Sequence, residues 1–213
     1  VAAIKALRQH AGLSRATDRL LALLDDDFPI VRQVAATALG FSGEVRVVDP
    51  LLARAADRAA DTRRQAITSL GLLLPRHTGN TPVLDRIVTA LLALRHDADP
   101  DVRRDSLAAL AQGKHIASLL PRLRPVLLAA AGSRDRDERL AAVTALADSR
   151  DAQLNAALAK LARDADSGVA TAAYRQITYS VEHGSRSPDL AAVLLAQLRV
   201  PDRRPLALRL LVK

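Results

Sequence analysis

Val31-Arg32-Gln33-Val34-Ala35-Ala36-Thr37-Ala38-Leu39-Gly40 recurs along this chain with drifting spelling. Thr62-Arg63-Arg64-Gln65-Ala66-Ile67-Thr68-Ser69-Leu70-Gly71 is a second copy. Val102 to Ala111 and Glu138 to Ala147 are a third and fourth, and Val169 to Ile177 is a fainter fifth. Aligned on the shared arginine, the copies sit at Arg32, Arg63, Arg103, Arg139, Ala170 and Arg203, with spacings of 31, 40, 36, 31 and 33 residues. Self-similarity at a few tens of residues predicts stacked supersecondary units rather than a closed globule.

Each phrase has the apolar period of a helix. Positions three, four and seven after the arginine read Ala35/Ala36/Leu39, Ala66/Ile67/Leu70, Ser106/Leu107/Leu110, Ala142/Val143/Leu146 and Ala173/Tyr174/Ile177. They share one helical face and stay small or apolar, as a core stripe requires. Before each phrase comes a turn rich in Asp, Pro or Ser, such as 25–29, 97–100, 133–135 and 164–167. Asp caps helix N-termini and Pro fits the first helical turn. A second apolar-periodic segment precedes each turn, at 15–24, 48–59, 82–95, 116–131, 151–163 and 188–199. The unit is therefore helix A, short turn, helix B. Neither helix buries its apolar face alone, so neighbouring units must stack.

Departures from the pattern are local. Residues 73–82 make a longer connector and account for the spacing of 40. Pro121 and Pro125 fall in the fourth A segment and should kink it or move its start. Residues 183–188 form another connector. The chain starts and stops within the pattern, because Val1 to Leu7 matches the later part of a B phrase and Pro205 to Val212 is apolar without a polar cap. The expectation is one stack over 1–213, of about six A and seven B helices, belonging to a longer stack or trimmed at both ends.

Composition agrees with helices. The chain has 213 residues, 49% of them hydrophobic, yet only two Phe, two Tyr and no Trp. A core of Ala and Leu suits close helix packing more than a sheet. The absence of Cys excludes disulfides, thiolate catalysis and Cys-ligated zinc, and fits a reducing cytoplasmic setting. No uninterrupted apolar run is long enough for a membrane span, and no signal-peptide layout is present. The formal charge is +8, with Arg far in excess of Lys. That balance favours acidic partners or nucleic acid. It also fits the composition of a GC-rich bacterial genome, since Asp and Glu are interleaved throughout.

The motif Asp-x-Pro-x-Val-Arg-x-x-Ala-Ala-x-Ala-Leu-Gly, from Asp27 to Gly40, resembles the HEAT repeat. The short period is most similar to repeats of the phycobilisome-lyase type. The resemblance implies an all-α fold, a right-handed α-α superhelix of about six helix pairs. It also implies a ladder of Asp and Arg between repeats, here Asp27, Asp99 and Asp137 with Arg32, Arg63, Arg103 and Arg139. Ala170 interrupts that ladder, so the fifth interface should be weaker or differently packed. In this family B helices line the concave surface. The residues opposite the core stripe would then form the partner-binding face, namely Gln33, Thr37, Arg64, Thr68, Arg104, Thr144, Thr171 and Arg175, with Ala108 and Leu140 between them. A modestly basic groove and an ordinary solvated face both fit this set.

Catalytic signatures are missing from the sequence. The five His, at 10, 77, 96, 115 and 183, lack the paired spacing and the His-Glu order of HEAT-like iron hydroxylases. No phosphate-binding Gly-rich loop or nucleophile elbow is present. HEAT-like DNA glycosylases are similar in charge, but their aromatic residues have no counterpart here. A stacking platform for single strands is unsupported on the same ground, whereas contact with a duplex backbone through Arg is compatible. No catalytic residue, metal ligand or cofactor is expected. Two readings follow: a non-enzymatic scaffold or adaptor that binds a protein partner, acidic in one version, or a basic module that binds nucleic acid. A bilin lyase-like subunit is a remote third, resting on the subgroup's name.

Overall fold

The structure is a computed structural model and describes residues 13–199 and 204–211. All regular elements among them are helical: α1 (Leu13–Ala22), α2 (Pro29–Ser42), α3 (Val48–Ala55), α4 (Ala60–Leu73), α5 (Thr81–Leu94) and α6 (Pro100–Ala111), then α7 (Leu120–Ala131), α8 (Arg136–Leu146), α9 (Ala152–Leu161), α10 (Ser167–Glu182), α11 (Pro188–Gln197) and α12 (Arg204–Leu211). Odd-numbered helices are the expected A helices and even-numbered ones the B helices. The copy at Val1 to Leu7 lies outside the described residues.

The chain divides into two compact units, Val1–Ile116 and Ala117–Lys213. In the first, B helices α2, α4 and α6 pack side by side, and A helices α3 and α5 form a second layer against them. In the second unit α8, α10 and α12 form the B layer, and α7, α9 and α11 the A layer. The core lies between the layers. Ala35, Ala36 and Leu39 are buried there in α2, Ala66, Ile67 and Leu70 in α4, and Ser106, Leu107 and Leu110 in α6. Ala142, Val143, Leu146, Ala173 and Ile177 do the same in the second unit, while Tyr174 is half-buried. Emptying one of the fully buried leucines to Ala would cost about 2–5 kcal/mol.

Small residues set the closeness of the B layer. A Cβ on Gly40 would meet the Ser69 backbone at 2.9 Å, and one on Gly71 would meet Ala109 Cβ at 2.9 Å. The Leu-Gly ending of the first two phrases is therefore a helix-approach site, α2 on α4 and α4 on α6.

The A–B turns before α2, α4, α6, α8 and α10 follow one set of rules. Asp97 accepts the N–H of Asp99, and Asp99 caps α6 by accepting from Asp101 and Val102. Asp164 and Asp166 repeat this before α10, and Ser133 and Asp135 before α8. The first two turns keep the first half, with Asp26 and Asp57 accepting from Phe28 and Ala59. There the cap residue carries no side-chain acceptor.

Pro121 and Pro125 act as their chemistry requires. The helix begins at Leu120 rather than near 116, with Pro121 in its first turn and Pro125 one turn later. Both face solvent, so the backbone acceptor that Pro125 leaves open is hydrated at little cost. The long connector is more ordered than its composition predicts. Leu74–Arg76 forms a 3-10 turn, Asn80 caps α5, and His77 between them is only 6% exposed.

Candidate interaction surface

The recurring arginine is a turn clamp. Arg32 Nη1 donates to the carbonyls of Asp26 and Asp27. Arg63 does so to Asp57 and Arg58, Arg103 to Asp97 and Ala98, and Arg139 to Ser133 and Arg134. Every copy reaches six and five residues back, which ties the B helix to the turn that starts it. In two of the four the remaining donors reach the next repeat. Arg63 Nε and Nη2 grip Asp97 at 2.8 and 2.7 Å, and Arg139 grips Asp164 at 2.8 and 3.0 Å.

The ladder carboxylates are thus Asp97 and Asp164, not the expected Asp27, Asp99 and Asp137. Asp99 is consumed in capping α6. Asp137 lies in the exposed first turn of α8 and pairs with Arg136 at 2.9 Å. Asp27 offers Arg32 its carbonyl rather than its carboxylate. The physical reason is reach. A guanidinium anchored on its own turn meets the residue that opens the neighbouring turn, two positions before the cap. Hydrogen bonding from Arg63 holds the Asp97 carboxyl below the usual carboxylate range, and Arg139 does the same to Asp164. At the sixth position it is Arg204 that reaches six residues back, Nε to the Leu198 carbonyl at 2.8 Å. Arg203 lies outside the described residues.

A second set of ion pairs joins neighbouring A helices and the turns beside them: Asp18 to Arg46, Asp25 to Arg54, Asp49 to Arg86, and Arg124 to Asp151. Burial raises the Asp151 pKa, but the Leu154 N–H and Arg124 outweigh it and leave a net lowering. Much of the Arg excess is therefore committed to holding repeats together.

The B-helix face carries the residues expected to meet a partner. Gln33, Thr68, Arg104, Thr144, Thr171 and Arg175 are exposed, and Thr37 and Arg64 are half-exposed. In the first unit this face is not a basic groove. Arg64 Nε lies 2.8 Å from Asp105, with Asp101 at 3.7 Å and Asp61 at 3.8 Å. Arg104 contacts Asp101 at 2.6 Å and Asp105 at 3.4 Å. Two guanidinium groups meet three carboxylates, and Asp105 acts first in raising the Arg64 pKa. Thr37 and Thr68 spend their hydroxyl protons on the carbonyls four residues back, Gln33 and Arg64. The three aspartates escaped sequence reasoning, although Asp61 and Asp101 stand three residues before an arginine, the spacing of a helical ion pair.

The second unit differs. Arg136 is held by Asp137 and by Asp166 at 3.0 Å. Thr171, Arg175 and Tyr179 are exposed at steps of four along α10, and exposed His183 follows at the next step. The Tyr179 and His183 rings stack, with centroids 3.9 Å apart at 28°. His183 Nδ1 donates to the Tyr179 carbonyl at 2.8 Å. The stack was not anticipated; the four-residue step from Arg175 to Tyr179 and His183 is its signal. Among the described residues no group of three or more His, Cys, Asp or Glu is placed to hold a metal ion. None of their helices is long and apolar enough to cross a membrane.

In each unit, clamped turns, paired layers and recurring core stripes define a HEAT-like stack of helix pairs. The family model for HEAT repeats matches residues 1–71. An engineered protein is similar in fold, with a TM-score of 0.57, 18% identity, and coverage of 92% of this chain and 95% of the other. A designed armadillo repeat protein in complex with the peptide (KR)4 is similar with a TM-score of 0.56, 15% identity, and coverage of 91% and 98%. The archaeal HEAT-like repeats protein from Thermococcus onnurineus NA1 gives 0.50, 15%, and coverage of 99% and 90%. At these identities the likeness is one of fold. No curated protein matches the sequence.

Proposed function

We propose that this chain is a non-enzymatic cytoplasmic scaffold or adaptor that binds a protein partner through its B-helix face. The observation that carries this reading is the exposed row of short polar side chains on closely packed helices, of which α2, α4 and α8 are locked by the arginine clamps. Gln33 and Thr68 on α2 and α4, and Thr144 and Thr171 on α8 and α10, stand on neighbouring helices of one layer in each unit. Side chains on a rigid scaffold are ordered in advance, which lowers the entropic cost of binding. The fold supports the same use, because a designed repeat protein of similar architecture is known in complex with a peptide.

The test is capture from native lysate, identification of the captured protein, and titration of that purified protein by calorimetry. Thr68→Glu with Gln33→Glu, and Thr144→Glu with Thr171→Glu, place charge on each face without touching core or clamps. One of the pairs should weaken binding about tenfold or more while leaving the melting temperature unchanged. Binding unaltered in both would remove the B-helix face as the site.

A further inference from the structure

We infer that the exposed column of α10, Thr171, Arg175, Tyr179 and His183, recognises an acidic, extended segment of a protein partner. The inference rests on the scaffold reading and adds the chemistry of the ligand. It starts from charge. Residues 117–213 carry 15 Lys and Arg against 10 Asp and Glu, whereas residues 1–116 carry 16 against 13. On the B-helix face of the first unit Arg64 and Arg104 already face three aspartates. In the second unit Arg136 is held by Asp137 and Asp166, and Arg209 meets Glu182 at 3.3 Å. Arg175 is different: it is exposed, and no carboxylate of the described residues lies within 4.0 Å of its guanidinium. A planar guanidinium without an internal partner is well suited to take a carboxylate in fork geometry.

The ring pair supplies the second half of the site. Tyr179 is 47% exposed and offers a broad apolar ring with a polar tip, a side chain suited to contact with a partner. His183 covers one side, which leaves the other for a flat group such as a peptide plane or an aromatic side chain. Because a carbonyl only accepts, the bond to Tyr179 places a proton on His183 Nδ1 and leaves Nε2 for a ligand. Successive members of the column rise by about 6 Å along the helix. Alternate residues of an extended peptide repeat at about 6.6 Å. A strand lying along α10 can therefore set one acidic side chain on Arg175 and its next same-side residue on the Tyr179 ring.

The same pairing of anion and flat group occurs in nucleic acid. The polyanion is the poorer fit, because its affinity is built from several neutralised phosphates. Here Arg136 and Arg209 are engaged by carboxylates, and exposed Asp148 hydrogen-bonds by its N–H to Ser180, the residue after Tyr179.

The experiment is fluorescence anisotropy of the full chain with three labelled probes: octaglutamate, (Lys-Arg)4 and a ten-residue oligothymidylate. Octaglutamate should bind most tightly. Arg175→Glu should weaken it about tenfold, the loss of one charge-assisted pair, and Tyr179→Ala severalfold. Arg163→Glu, the same charge change on an exposed turn elsewhere in the unit, should alter it less than about twofold. Thermal melts check that each variant folds. Equal binding by the Arg175 and Arg163 variants would overturn the inference. Tighter binding of the oligothymidylate, lost in Arg175→Glu, would overturn it in favour of nucleic acid. If the captured partner is released by glutamates at Thr144 and Thr171 but not by Arg175→Glu, the scaffold reading stands and acidic recognition falls.

Discussion

Arg63 holds Asp97 with two parallel hydrogen bonds of 2.8 and 2.7 Å while its third nitrogen clamps the turn of its own repeat. One guanidinium thus joins helix, turn and neighbouring repeat. Its side chain and that of Asp97 are 14% and 11% exposed, so solvent screens the pair little. Arg63→Ala should destabilise the protein by about 2–4 kcal/mol, since it removes the cation that pairs with the largely buried carboxylate and the donor to two carbonyls. Arg63→Lys should recover only part, because an ammonium cannot form the fork. Urea unfolding of the three proteins measures this, and a Lys variant as stable as the parent would refute it.

Acid should attack the same contacts. Asp97 and Asp164 have folded-state pKa values lowered by Arg63 and Arg139. The unfolded carboxyl titrates near about 3.9, so on acidification the unfolded chain binds protons first. The stabilisation is complete above roughly pH 5 and is lost as pH falls through the folded values. In Arg139→Ala the drop in urea midpoint between neutral and acid pH should be smaller than in the parent. An equal drop would show that Asp164 carries no linkage.

His77 should add a separate pH dependence. Burial, with Arg76 assisting, lowers its pKa in the folded state. The unfolded imidazole therefore protonates first, and stability falls as pH drops below about 6.5. His77→Leu should flatten the slope of stability between pH 7 and 5. If the slope is unchanged, the histidine is not its source.

The two glycine approach sites should resist alanine. Alanine favours a helix by about 1 kcal/mol over glycine, but at Gly71 its Cβ would lie 2.9 Å from Ala109 Cβ and at Gly40 2.9 Å from Ser69 backbone. Overpacking should win, with a net loss of about 1–3 kcal/mol at each. Gly168→Ala is the control, since its Cβ meets only the side-chain ends of Arg136 and Asp166 and no backbone of a neighbouring helix. Differential scanning calorimetry should rank Gly168→Ala clearly above the other two.

Ala170→Arg should supply the clamp that the fifth copy lacks. The Asp164 and Ala165 carbonyls stand six and five residues before it, the relationship used by four other arginines. A gain of about 0.5–1.5 kcal/mol is expected. A lower melting temperature would mean that the new side chain cannot reach the turn.

Local spacing determined most of the fold. The period of the core stripe, the cap residues and the turn dipeptides are relations within a few residues, so Leu39, Leu70, Leu110 and Leu146 could be placed in the core from the sequence alone. The recurrence of the arginines was legible in the same way, but their clamp on the carbonyls five and six residues back was not anticipated. What needed the tertiary structure was every partner at long range. Asp97 rather than Asp99 opposes Arg63, because one carboxylate is spent on its own helix N-terminus and the other points across to the next repeat. Arg64 and Arg104 look alike with Arg175 in the sequence, yet only packing of α4 against α6 brings Asp101 and Asp105 to the first of them. Charge on a surface is decided by which side chains converge in space, and a repeat period cannot specify that convergence where the repeats differ.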